Sequence, residues 1–132
     1  MPLIGFTMFR DPILSGRKRQ TIRKLRKYPI MVGDRLHLYW KLRTKDCEKL
    51  GEAICTETFF LRIGHDKSGK VWMLMAGIPN PKKGLILIEG HMFDIAKRDG
   101  FDSVEAMISA LEKMHGDLHN SVFQVVRWGD LR

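Results

Sequence analysis

Between Gly16 and Lys27 the chain sets Arg17, Lys18, Arg19, Arg23, Lys24, Arg26 and Lys27 within eleven positions, interrupted by Gln20, Thr21, Ile22 and Leu25. Arginine forks meet phosphate oxygens bidentately and lysines act as point charges, so this spacing suits the phosphates of RNA or of a nucleotide. Such contacts supply affinity without sequence preference. Lys18 stands among Arg17, Arg19 and Arg23, and neighbouring cations disfavour its charged form, one route to a lysine that accepts a proton near neutral pH. The Thr21 hydroxyl, three residues on, becomes a nucleophile if the chain bends both groups into one pocket. A carboxylate beside them would orient the lysine or shuttle a proton. The competing reading is a solvated basic surface in which Thr21 merely favours an extended backbone.

Other residue types offer less. His115 and His119 have the i, i+4 spacing of helical metal ligands, but Gly116 between them ends a helix, so no metal site is expected. No cofactor motif is present either. Tyr39, Trp40, Trp72 and Trp128 have the faces needed to stack bases, although most such residues serve a core. Cys47 and Cys55 form no C-x-x-C pair and read as free thiols of a reducing compartment.

The text from Ile13 to Arg23, Ile-Leu-Ser-Gly-Arg-Lys-Arg-Gln-Thr-Ile-Arg, resembles the signature of the ASCH family. That signature has an aliphatic pair, a small residue, Gly, a basic residue, Lys, two variable positions, Thr, an aliphatic residue and Arg. Val32-Gly33-Asp34 ahead of the Leu36 strand, and Ala96 to Ser103 ahead of the last helix, are similar to further pieces of that family in the same order. The stretch from Gly64 to Glu89 is not covered and reads as an elaboration. The resemblance implies a PUA-like fold, a partly open mixed β-barrel with flanking helices and a cleft lined by the basic motif.

It implies two kinds of function, RNA or nucleotide binding and hydrolysis, the latter as a ribonuclease or as an amidohydrolase acting on N4-acetylcytidine. In those amidohydrolases the motif Lys and Thr work with a carboxylate at the cleft edge. Carried over, these are Lys18, Thr21 and Asp99, the last one methylene shorter than the Glu of the enzymes. Arg17, Lys18, Arg19, Arg23 and Lys24 are then the candidate contacts to nucleic acid. Asp99 falls in the last turn of its expected helix, where the macrodipole disfavours an acid by a few tenths of a kcal/mol. An acid placed against local preference points to another task. A third class of function, an adaptor recognising an acidic protein surface, would use the same positive face.

The elements that must position these residues follow from pattern. A chain of 132 residues with 44% hydrophobic and 29% charged residues fits one domain, spanning 1–132, with an adequate core. Residues 10–45 carry twelve Lys or Arg against Asp11 and Asp34, whereas residues 89–117 carry seven acids against three bases. That asymmetry gives a positive face able to attract polyanions. The N-terminus lacks the apolar core of a secretory signal and the run Val71 to Pro79 is too short to span a bilayer, so a cytoplasmic location is expected.

Leu3 to Phe6 reads as a strand, and Asp11 to Leu14 as a helical turn with Asp11 as N-cap, Pro12 first in the helix and Gly16 as its end. An extended segment follows from Arg19 through Lys24. Leu36, Leu38 and Trp40 alternate with polar partners in a strand over Arg35 to Trp40, after the Gly33-Asp34 turn. A loop from Lys41 to Lys49 leads to a long strand over Ala53 to Ile63. Strands at Val71 to Met75 and Leu85 to Ile88 follow, separated by a turn at Asp66 to Gly69 and by Pro79-Asn80-Pro81. A helix over His91 to Arg98 ends at Gly100, and a longer one opens with Asp102 as cap and Glu105 in a capping box, burying Met107, Ile108, Leu111 and Met114. Ser121 to Trp128 closes the chain with Phe123 and Val125 on one face and Val122 and Val126 on the other. The expected class is α+β with a small mixed barrel.

Overall fold

The protein was analysed as a computed structural model that describes residues 2–65, 67–68, 71–77, 86–87, 92–116 and 121–132. The class is α+β, and the described residues form a mixed seven-stranded sheet with three helices. In chain order the elements are β1 (Leu3–Phe6), α1 (Arg10–Ser15), β2 (Gln20–Lys24), β3 (Arg35–Trp40), β4 (Glu48–His65), β5 (Val71–Gly77), β6 (Ile86–Leu87), α2 (Met92–Arg98), α3 (Val104–His115) and β7 (Ser121–Trp128). The Pro79 to Pro81 break, Asp66 and Gly69 of the expected turn, Leu85, Ile88, His91 and His119 lie outside the described residues.

The long strand β4 organises the sheet. Its first part pairs with β3, its later part with β5 and β7, all antiparallel, while β1 adds to β3 in parallel and β2 adds to β7. The expected loop is shorter than Lys41 to Lys49, because β4 begins at Glu48 through the pairs Trp40↔Glu48 and Tyr39↔Lys49. The order β1-β3-β4-β7-β2 curls until β1 and β2 face each other across a seam that no strand ladder closes. Arginines lace it instead: Arg23 donates to the Gly5 carbonyl and Arg26 to the Leu3 carbonyl, 2.8 Å away. The carbonyls of Pro2 and Phe6 point the other way, to His37 and Lys41 beside β3, as the alternation of a strand requires.

Two apolar clusters share the sheet. Ile22, Phe59, Leu61, Ile63, Phe123 and Val125 pack under α2 and α3 through Ile95, Ala96, Met107, Ile108 and Leu111. Ile4, Phe6, Ile13, Leu36, Leu38, Val126 and Trp128 fill the curled side. β7 therefore feeds both, odd positions to the helices and even ones to the barrel interior, as a period of two dictates. Its expected faces hold, except that Val122, on the Val126 side, is exposed.

Both expected helix caps move by a residue or two. At α1 the N-cap is Phe9, with φ 65° and no side-chain cap, and Asp11 sits inside the first turn with Pro12 behind it. At α3 the cap is Ser103, whose hydroxyl accepts from the Ala106 N–H at 3.1 Å, which leaves Asp102 outside and breaks the expected box with Glu105. Gly16, at φ 83°, closes α1 as expected, its N–H bonded to the Ile13 carbonyl. Met114, expected in the core, is 57% exposed at the rim of a cavity. No helix among the described residues is long and apolar enough to cross a membrane.

Candidate functional site

Lys18 is placed by the turn that follows α1. Once Gly16 reverses the chain, the Lys18 N–H bonds back to the Pro12 carbonyl at 3.0 Å and the side chain runs inward. It is 3% exposed. Its Nζ lies 3.3 Å from Asp99 Oδ2 and also donates to the Asp99 backbone carbonyl. The Phe9 ring centroid is 4.8 Å from the same nitrogen, a cation–π contact in a desolvated setting.

Asp99 follows α2 directly, its N–H still bonded to Ile95 at 3.1 Å in helical fashion, before Gly100 and Phe101 turn the chain towards α3. Gly100 has φ 101°, and a Cβ there would stand 3.0 to 3.2 Å from the Phe9 ring. Glycine is thus required by the backbone and by the close approach of that ring. Phe9 stacks edge-on against Phe101 at 5.0 Å. The left-handed backbone of Phe9, uncommon for a bulky residue, turns its ring beneath Lys18 and beside Gly100.

Thr21 and Arg23 alternate with Gln20 and Ile22 along β2, so the two pairs serve opposite faces. Arg23 Nε donates to Thr21 Oγ1 at 3.1 Å, and the guanidinium lies 5.0 Å over Phe6. Burial pulls the Arg23 guanidinium down to about 10, with Arg26 adding to the shift and Asp99 opposing it. Lys18, Thr21, Arg23 and Asp99 all line one cavity of about 200 Å³, floored by Phe6, Phe9 and Phe101 and edged by Leu111 and Met114 of α3.

Burial acts on both members of the ion pair. It lowers the Lys18 ammonium, against the pull of Asp99, and raises the Asp99 carboxyl, against the pull of Lys18. The two proton affinities are driven towards each other, as desolvation demands. A neutral Lys18 amine keeps two hydrogens for the Asp99 oxygens and one lone pair for a proton from within the cavity.

Gln20 was only an interruption in the basic run at the level of sequence, yet it is 1% exposed and bonded throughout. Its amide donates to Ile95 at 2.9 Å and to Asp99 Oδ1 at 3.3 Å, and its oxygen accepts from Arg127 Nε at 2.9 Å. Arg127 is held in turn by Glu57 at 3.0 Å. This chain of bonds fixes the second carboxylate oxygen while Lys18 takes the first. Its one signal in the sequence is that Gln20 shares the face of Ile22.

The remaining basic candidates face outward. Arg17 and Lys24 are exposed, Arg17 bonding Ser15 at 3.2 Å, and Arg19 pairs with Asp130 at 2.9 Å. Of the aromatic candidates Trp128 is core, whereas Tyr39 and Trp40 are half-buried on β3, outside the cavity lining; the side chain of Trp72 lies outside the described residues. Cys55 is buried, which pushes its thiol up to about 11, and Cys47 is exposed. Among the described residues no cluster of His, Cys, Asp and Glu could hold a metal ion. The chain matches no family model, no curated protein and no solved structure.

Proposed function

We propose that this chain is a PUA-like domain of the ASCH type whose cavity binds a nucleoside or nucleotide, free or within RNA. The observation that carries the reading is the convergence of Lys18, Thr21 and Asp99, with Arg23, on one aromatic-floored cavity. A volume of about 200 Å³ suits one flat base and its substituent, below the ~300 Å³ at which drug-sized sites begin. Aromatic faces would stack the base, and the buried cations with Thr21 supply hydrogen bonds to its edge.

A second reading, hydrolysis of an amide on the base, is favoured by the surroundings of Thr21. Arg23 donates to its oxygen, which leaves the hydroxyl proton free to depart and stabilises the alkoxide. The Lys18 amine takes that proton, the alkoxide attacks the amide carbonyl, and the ammonium returns the proton to the departing nitrogen. Water, deprotonated by Lys18, then attacks the acyl-Thr21 ester, the acyl group leaves as a carboxylic acid, and the Lys18 ammonium returns its proton to the departing Thr21 oxygen. Asp99 is shorter than Glu by one methylene, but here both its carboxylate and its backbone carbonyl hold Lys18.

Incubation with N4-acetylcytidine and with unstructured RNA, followed by detection of cytidine, acetate or cleaved strand, separates the chemistries. Binding is read by titration at low and high salt. Binding with turnover of neither leaves a binding module. No affinity for either ligand at low salt, or affinity indifferent to Lys18→Met/Asp99→Asn, would sink the proposal.

A further inference from the structure

Beyond the seam lies a wider groove, about 630 Å³, lined by Pro2, Arg26, Lys27, Tyr28, Asp34 and Arg35. Its aromatic is out of place for a core, since Tyr28 is 79% exposed with Lys27 Nζ 5.7 Å from its ring. Among the described residues the ion pairs engage neither Arg26 nor Lys27. Arg35 is 60% exposed and only 3.9 Å from Glu52. Among the described lining residues the acid is Asp34, which turns its carboxylate to the Met31 N–H at 2.9 Å, so its hydrogen bonding serves its own turn.

The segment that carries Lys27 and Tyr28 is anchored just beyond the groove. Ile30, at the end of this segment, is buried, and its N–H bonds the Gln124 side chain at 3.2 Å while its carbonyl accepts from the Gln124 amide. The groove reaches Pro2, just before β1, and the cavity reaches Gly5 and Phe6 within it, with no described lining residue in common. Arg26 reaches Leu3 and Arg23 reaches Gly5, two carbonyls on the open edge of β1 about 6.6 Å apart along the strand. Arg23 lines the cavity and Arg26 the groove, so one extended nucleotide can follow the edge from one to the other.

We propose that this groove is a second subsite, which takes the phosphate and base of the nucleotide flanking the one in the cavity, and that the ligand is therefore single-stranded RNA. Tyr28 provides the stacking face, and Lys27, Arg26 and Arg35 face the phosphates. This rests on the reading of the cavity as a nucleoside site.

The test titrates a short fluorescent single-stranded oligoribonucleotide, and separately N4-acetylcytidine, into the full chain and its variants. Tyr28→Ala weakens the oligonucleotide about tenfold. Lys27→Ala and Arg35→Ala each reduce the slope of log affinity against log salt by about 0.7. All three leave N4-acetylcytidine binding unchanged, and circular dichroism checks that they fold. Wild-type affinity for the oligonucleotide in Tyr28→Ala overturns the proposal, as does an equal loss for both ligands. If Lys18→Met/Asp99→Asn binds both ligands like the wild type while Tyr28→Ala still weakens the strand, the cavity reading alone falls and the groove stands as an RNA site.

Discussion

One stretch of basic sequence supplies two regions of opposite physical character. Lys18 and Arg23 are carried inward, desolvated, bonded to fixed acceptors and shifted in proton affinity. Arg17, Arg19 and Lys24 face water a residue or two away. Both regions draw on the same run of Arg and Lys, so composition does not make the difference. A turn closed by Gly16 and the alternation of β2 decide which cations lose their water. Inward charges are tied to the fold and to chemistry, whereas outward ones act at a distance and are screened by salt.

That contrast breaks first at Lys18. Lys18→Met strands Asp99 as a buried charge, and unfolding in urea should show a loss of about 3–5 kcal/mol. Lys18→Met/Asp99→Asn removes both charges and should recover to within about 1 kcal/mol of the wild type while abolishing ligand binding, a non-additivity that marks a coupled pair. A double variant as unstable as the single one would show that the pair is structural. Next in size is Gln20→Leu, which removes the amide donor to Asp99 Oδ1 and leaves Arg127 Nε without its acceptor, and should cost about 1–3 kcal/mol by the same measurement.

The pH dependence sharpens the same contrast. Burial lowers Lys18, so its ε-carbon resonance in NMR should titrate below the ordinary lysine value of about 10.4. Asp99 holds the Lys18 value up, so Asp99→Asn should move the Lys18 midpoint lower still. For stability the signs follow from the two directions, Asp99 raised and Lys18 lowered on folding. The contribution of Asp99, raised on folding, is present below its unfolded value and lost as pH rises through the folded one. That of Lys18, lowered on folding, is present above about 10.4 and lost as pH falls through the folded one. The smallest effect belongs to the outer region. Arg17→Ala and Lys24→Ala should change stability by less than about 0.5 kcal/mol and lower the salt slope of RNA binding by about 0.7 each.

The legible parts of this molecule are local. Gly16 as a helix stop, the alternation of Leu36, Leu38 and Trp40, and the spacing of Met107, Ile108 and Leu111 each state a period or a turn in adjacent residues, and the elements stand where that pattern put them. The caps were less legible for different reasons. Asp102 and Ser103 are both good caps one residue apart, and only the extended backbone of Ser103 chooses between them. Phe9 is no cap by type. Its conformation goes with ring contacts to Lys18, in the next turn of chain, and to Phe101, which is remote in sequence. Gln20 was illegible because its partners Ile95, Asp99 and Arg127 are 75 to 107 residues away. The pairing of β7 with both β2 and β4, which closes the curl, is non-local in the same way.

The laced seam has a bearing on how molecules of this protein meet one another. An unpaired strand edge is a template on which a second chain can extend the sheet, the usual start of aggregation. On β1 the outward carbonyls of Leu3 and Gly5 are already occupied by guanidinium groups. An approaching strand finds its acceptors taken and positive charge in its path. Two of the arginines beside the proposed binding sites thereby also keep a barrel left open on one side from recruiting its own copies.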